Sequence, residues 1–442
     1  MQSGTLNLNG QTLSATGTVS ITAGTVQSGT GQLNFTGSSV TFGNGSGGPS
    51  VFSSLIVNSA SIMMRNSTFH GTVNLTKNDG TATNAMLGGN TFNSTLNVNY
   101  ISTTGTGYWS FGNGSRDIYN GDVTVVNNSL NRIIFCHNSS TNQFNGNLIL
   151  SQTGNSVGTS IGWSAGSSAT ISAGKNIQIG VGGFSTGYLY LQGITQQGSA
   201  PTNLTTTGSS SVFIGTGNAD ATSTFGGAFT VTASNIYVRG GVFNGAAEFI
   251  KTGGGDNNNG GKTNTFNSSC TITQSQSSTG FFMLGSNSND QFNGNIILNN
   301  KSSQEIYLGN TAGTGTPTLN SGATVVIGSL GFSSGSVYFC QGFRQLGTTA
   351  QNLVLTDSSR VYFRDSCTFN GPLTVSGPNI YFNGGIFNNI VTATKTSGTT
   401  SNASTGGNIF NSTFTLNYTS TSGTGYWSMG NGTSDWFKGD VY

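Results

Sequence analysis

Carboxylates are the first place to look for chemistry in this chain, and their spacing decides what they can do. Only 12 of the 442 residues are acids. General acid–base or glycosidic chemistry needs two carboxylates gathered in one unique, tuned cluster. Here Asp117, Asp290 and Asp435 fill one position of a recurring motif, and Asn142 fills it in a fourth copy. Asp122 and Asp440 share a second position, taken by Asn147 and Asn295 in the other copies. An acid that exchanges with Asn and returns copy after copy reads as a turn residue, its side-chain oxygen accepting from a backbone N–H. No catalytic residue is assigned, and the chain is expected not to be an enzyme.

Metal and thiol chemistry have equally little to work with. The two histidines, His70 and His137, occupy repeat slots held by Asn or Gly elsewhere, and no HxH, HExxH or CxxC spacing exists. No metal or cofactor site is assigned. The four cysteines form no disulfide framework. Cys136 is aligned with Phe111, Leu284 and Met429, which makes it a small core hydrophobe. Cys340 and Cys367 lie about one repeat apart, which leaves a bridge between neighbouring coils open. The stretch TFGNGSGG (Thr41 to Gly48) lacks the Lys and the helix of a phosphate loop and reads as a corner.

Two aromatic pairs, Tyr108-Trp109 and Tyr426-Trp427, have the ring types that stack on sugars. Phe281-Phe282 and Ile133-Ile134 replace them in the other copies, which favours packing, one member pointing in and one out. Trp163 and Trp436 do not repeat and stay as candidates for an exposed contact. Lys77, Lys251 and Lys395 each follow an aromatic (Phe69, Phe243, Phe387) by eight residues. They read as solvated charges at strand ends, where they discourage edge pairing. The N-x-[ST] triplets, such as those at Asn66, Asn93, Asn267 and Asn411, are numerous and arise by chance in so Asn-, Ser- and Thr-rich a chain, and no glycosylation is assigned.

The elements that position these residues are short and repeated. GYWSFGNGSRDIYNGDV (Gly107 to Val123), RIIFCHNSSTNQFNGNL (Arg132 to Leu148), GFFMLGSNSNDQFNGNI (Gly280 to Ile296) and GYWSMGNGTSDWFKGDV (Gly425 to Val441) share one plan. Each runs from an apolar cluster through a polar turn, an Asp or Asn and an aromatic, into an alternating strand start. The first two follow each other after 25 residues, too short a unit to bury its own core. Tandem units of this kind stack. Charged residues make up 6%, against about 25% in ordinary domains. There are 69 Gly, 28 Phe and 13 Tyr, with helix formers scarce. Runs such as Val123/Val125, Leu148/Leu150 and Ile296/Leu298 alternate with period two, as strands do.

A longer repeat sits above the coil, with blocks at approximately 17–186, 187–334 and a truncated 335–442. Phe69 and Phe243 are 174 residues apart, but Phe144 and Phe292 only 148. The difference is one turn. A stack can lose a turn and keep the later turns in phase, whereas a closed propeller cannot. The fold expected is all-β: a parallel β-solenoid with turns of about 17–27 residues, running as one continuous segment over 1–442 of a longer chain. About 18 turns at a strand spacing of ~4.8 Å make a rod on the order of 85 Å long. Stacked like charges repel, whereas Asn, Ser and Thr form ladders and Phe stacks inside.

The net charge of +2 and the absence of Lys or Arg runs give no reason to expect nucleic acid as a partner. No apolar run reaches the ~20 residues of a membrane helix. Met1 to Gly10 reads as a strand and turn rather than a leader.

On the FNG turns, TGTGYWS and GxFNG, the whole chain resembles the giant repetitive surface proteins of Bacteroidetes-like bacteria. The resemblance implies an extracellular or cell-surface β-solenoid of the adhesin or fibre type, linked to gliding motility and type IX secretion. It implies a stiff spacer or adhesive rod in surface attachment. Its partners would be its own repeats, other copies of the fibre and surface glycans. The alternative is a carbohydrate-active or glycan-binding β-helix.

Overall fold

A computed structural model describes the chain except residues 2, 28, 82, 139, 155, 216–221 and 311–313. The chain is all-β, a parallel β-solenoid of about 17 turns without a helix among the described residues. It divides into two compact units, Met1–Ala228 and Phe229–Tyr442.

In the first unit a turn crosses three faces. The run Val73–Lys77, Asn84–Ala85, Thr91–Phe92 is followed by Leu96–Tyr100, Tyr108–Asn113, Ile118–Tyr119, and each strand pairs in parallel with its counterpart one turn on. Alternation decides which side chains enter. Leu96, Val98 and Tyr100 are buried while Asn97 and Asn99 lie outward. The second unit repeats the plan with Ala247–Lys251, Asn257–Asn259 and Thr265–Phe266. Turn length varies, as expected, from 18 residues between Asn370 and Asn388 to 27 between Asn93 and Asn120. It reaches 29 residues where Leu148 pairs with Ile177, and 32 where Gln152 pairs with Phe184, the bulge in Ile177–Phe184 taking up the further chain.

Two kinds of column run through each unit. Inside, the aromatics of the two-residue strands stack: Phe69, Phe92, Tyr119 and Phe144 at 5.2, 5.4 and 4.7 Å. In the second unit Phe243, Phe266 and Phe292 stack at 5.1 and 5.0 Å. These rings are fully buried, and each stabilises its turn by roughly 1.5–3 kcal/mol of transfer free energy. One residue later, outside, the Asn that follows the aromatic donates to its counterpart in the turn before where that is also Asn. Asn145 donates to Asn120 and Asn120 to Asn93, both at 2.7 Å. Asn293 donates to Asn267 and Asn267 to Asn244, again at 2.7 Å.

The strand register corrects one alignment. Tyr108 lies opposite Arg132, Trp109 opposite Ile133 and Phe111 opposite Phe135. Cys136 therefore comes one residue after the core slot of Phe111 and falls in the slot of Gly112. Both have left-handed backbones, φ 59 for Cys136 and 61 for Gly112. The corner after His137 takes up the extra residue and restores the phase, so that Phe144 again faces Tyr119. Cys136 is buried, as expected, although at a corner rather than in a core slot. All four cysteines are buried and free, so Cys340 and Cys367 do not pair.

Candidate functional site

The recurring acids act as caps. Asp117 accepts the backbone N–H of Asn90 at 2.8 Å and its Nδ2 at 3.0 Å, and the Tyr119 hydroxyl reaches its other oxygen at 3.2 Å. Asn142 performs the same task one turn on, accepting the Asp117 N–H at 2.9 Å. Asp290 holds Asn264 through N and Nδ2, and Asp435 holds Asn408 in the same way. Asp122 accepts the N–H of Asn147 at 2.8 Å. Asp117 and Asp290 are wholly buried, and burial pushes both carboxyls up to about 6 against the pull of these donors. Each acid caps a neighbouring turn, at its own level of the stack.

The partners of these caps were missed in the sequence. Asn90, Asn264 and Asn408 are buried, and each also bridges backward. Asn264 Oδ1 accepts from Gly240 and Gly241 N–H, and Asn408 Oδ1 from Gly384 and Gly385. The signal was present: Asn or Asp stands two residues before the stacked aromatic in Asn90/Phe92, Asp117/Tyr119, Asn142/Phe144 and Asn264/Phe266.

Lys77, Lys251 and Lys395 are not solvated strand-end charges. All three are 0% exposed. They lie opposite the small residues Ser59, Ala233 and Gly377 of the preceding turn. That turn has no loop at this corner: Ser59 and Ala60 lie within the unbroken strand Ser54–Met64, Ser234 alone separates Phe229–Ala233 from Asn235–Arg239, and Pro378 alone separates Leu373–Gly377 from Asn379–Asn383. In the lysine's own turn the corner opens into a loop, so the next backbone N–H is carried away from the carbonyl below. The ammonium takes its place. Lys77 Nζ donates to Ala60 O at 2.6 Å, Lys251 to Ser234 O at 3.4 Å and Lys395 to Pro378 O at 2.9 Å. Lys251 also reaches Gly253 O, and Lys395 reaches Asn402 Oδ1. Burial lowers Lys77 and Lys251 to about 8 and lowers Lys395 as well.

His70 stacks on Phe52 at 4.1 Å and meets Asn93 Nδ2 at 3.2 Å, heading the Asn column. His137 is buried against Tyr108, and burial lowers its pKa. Among the described residues no three His, Cys, Asp or Glu side chains converge. Asn44 closes the TFGNGSGG corner, its Oδ1 accepting from Ser46 and Gly47 N–H. In the N-x-[ST] triplets at these four positions the amide nitrogen is engaged: Asn66 with Asn44 O, Asn93 with His70, Asn267 with Asn244 and Asn411 with Asn388.

The aromatic pairs split as alternation requires. Trp109 and Phe282 are buried while Tyr108 and Phe281 face outward. Tyr426 is 56% exposed with Trp427 half-buried, and Trp436 is 64% exposed. On the outside of the second unit Tyr307, Tyr338, Tyr362 and Tyr381 form a ladder at 4.6, 4.4 and 4.4 Å. Their rings are nearly parallel, so in the middle of the ladder each ring face is covered by the next ring and only edges and hydroxyls meet solvent. In the first unit the outer face is less regular. Arg132 lies over the Trp163 ring, its guanidinium carbon 3.9 Å from the centroid, and an open groove of about 380 Å³ runs beside them. No family model, curated protein or solved structure matches this chain.

Proposed function

We propose that this chain is a structural segment of a long extracellular surface fibre or giant adhesin, a stiff repetitive spacer whose work is done by its stack. One observation carries the reading: the recurring polar residues spend their hydrogen bonds on the neighbouring turn. Asp117 and Asp290 cap Asn90 and Asn264, the buried lysines cap the turn below them, and the outer Asn side chains bond to one another. Residues committed in this way hold a stack together. The near absence of charge suits the same role, because like charges one strand spacing apart repel. Surface attachment and gliding are the settings that the sequence texture suggests. The test is electron microscopy of the purified chain. Narrow particles of constant width support the spacer, and compact globular particles end it.

A further inference from the structure

The groove of the first unit has the composition of a ligand site rather than of a corner. Its walls are Tyr108, Leu130, Arg132, Ile134, Val157 and Trp163, and Arg132 is the one charged residue among the described residues along it. Leu130 and Val157 are 40% and 44% exposed, so the walls offer apolar surface to solvent. Tyr108 and Arg132 are register partners on adjacent strands, which fixes their separation through the backbone. Trp163 covers one face of the guanidinium, and the Tyr190 ring lies 5.5 Å away. A guanidinium held flat on an indole presents its N–H edge, not its face. Among the described residues no hydrogen bond or ion pair engages that edge, and Nε is buried without a partner. The three buried lysines, by contrast, all have carbonyl partners. An uncapped guanidinium beside exposed apolar walls points to a ligand that brings the missing anion.

We infer that this groove binds an acidic saccharide, with the carboxylate of a hexuronic acid unit paired to Arg132 and the apolar face of its ring against Val157 and Leu130. A planar guanidinium matches a carboxylate in a two-point contact. A bare inorganic anion would satisfy Arg132 and leave the apolar walls in water. An acidic peptide is less well served, because extended peptides add to open sheet edges. The strand Arg132–His137 has no open edge here, since it pairs with Tyr108–Asn113 on one side and Gly158–Ile161 on the other. The volume of about 380 Å³ is at the lower end of the range of small-ligand sites and suits a short stretch of a saccharide chain passing through an open trough.

The experiment is calorimetric titration of the intact chain with oligogalacturonate. Its methyl ester, an oligoglutamate and sodium sulfate serve as comparison ligands. The wild type is expected to bind oligogalacturonate, and esterification is expected to weaken binding at least tenfold. Arg132→Gln is expected to weaken it at least tenfold at an unchanged melting temperature. If Arg132→Gln disturbs the stack, exposed Val157→Glu serves instead, repelling the same carboxylate without touching the Trp163 contact, with the same tenfold loss expected. The inference is overturned by absence of binding at millimolar ligand, by equal affinity for ester and acid, by equal or tighter binding of oligoglutamate, or by full competition from sulfate. The spacer reading is judged on particle shape and stands or falls separately.

Discussion

Replacing Lys251 by Met tests the most specific feature of the stack, the buried ammonium that closes a turn. In the unfolded chain the amine titrates at its ordinary value of 10.5, and in the folded chain burial brings it to about 8, with Asp256 pulling the other way. Between those values the unfolded state carries a proton that the folded state has released. Stability from this group therefore rises as pH climbs from about 8 to 10.5, and it is lowest below that window. At 1.36 kcal/mol per pH unit the ceiling is about 3.4 kcal/mol. The corner at Gly255 and Asp256 is exposed and lets water screen the charge, which leaves ~1–2 kcal/mol. At neutral pH two effects of Lys251→Met oppose each other. Removing a desolvated charge helps, and leaving the Ser234 carbonyl uncapped costs about 1–3 kcal/mol. The pH dependence is free of that ambiguity. Urea unfolding of both proteins at pH 7, 8, 9 and 10.5 gives the difference in stability, in which tyrosines and cysteines common to both cancel. The difference is expected to move in favour of the wild type by ~1–2 kcal/mol across the window. A flat difference, or movement the other way, refutes the buried cap.

Other parts of the stack make separate predictions. The carboxyl carbons of Asp117 and Asp290 are expected to titrate near 6 by NMR, so that their contribution to stability falls as pH rises from 4 to 6; midpoints below 4.5 would contradict their burial. Phe266→Ala opens the column between Phe243 and Phe292 and is expected to cost ~3–5 kcal/mol, read as faster amide exchange in the strands on either side; unchanged exchange would remove the column from the account of stability. Asn120→Ala breaks two ladder bonds in an exposed setting and is expected to cost only about 1–2 kcal/mol by urea unfolding, well below the Phe266 change; a larger loss than Phe266→Ala would invert the ranking. A thiol dye is expected to leave all 4 cysteines unmodified in the native chain and to label all of them in urea; rapid native labelling of any one would place that thiol at the surface.

The parts of the fold that were legible are those in which a residue type recurs because the neighbouring turn demands the same type. Phe69, Phe92, Tyr119 and Phe144 announced an interior column, since only a stacked arrangement puts the same ring in the same place every turn. The exchange of Asp117 with Asn142 announced a cap, because an amide oxygen and a carboxylate serve equally as acceptors for one N–H. Cys136 was misaligned by one residue for a physical reason. The corner after His137 holds one more residue than the corner after Asn113, and sequence similarity resumes at Phe144 regardless. The groove beside Arg132 was only half legible. Trp163 stood out as unrepeated, but nothing along the chain shows that an arginine thirty-one positions earlier lies on its face.

The lysines show why recurrence alone misleads. A charge repeated at long intervals looks like a solvated end, since burying an ammonium costs several kcal/mol unless carbonyls surround it. That cost is met here where a corner without a loop is followed by one with a loop, because there a carbonyl loses the N–H that would lie above it. Ala60, Ser234 and Pro378 are those carbonyls, and Ser59, Ala233 and Gly377 are small enough for the lysine stem to cross. Lys77, Lys251 and Lys395 thus mark the turns at which a tight coil widens. Lengthening one of the tight corners, by inserting a few residues after Ser234, would restore a backbone partner and make the lysine redundant. Lys251→Met in that background should then show no pH-dependent difference from its parent, and a difference that persists would mean that the amine answers to something other than the corner.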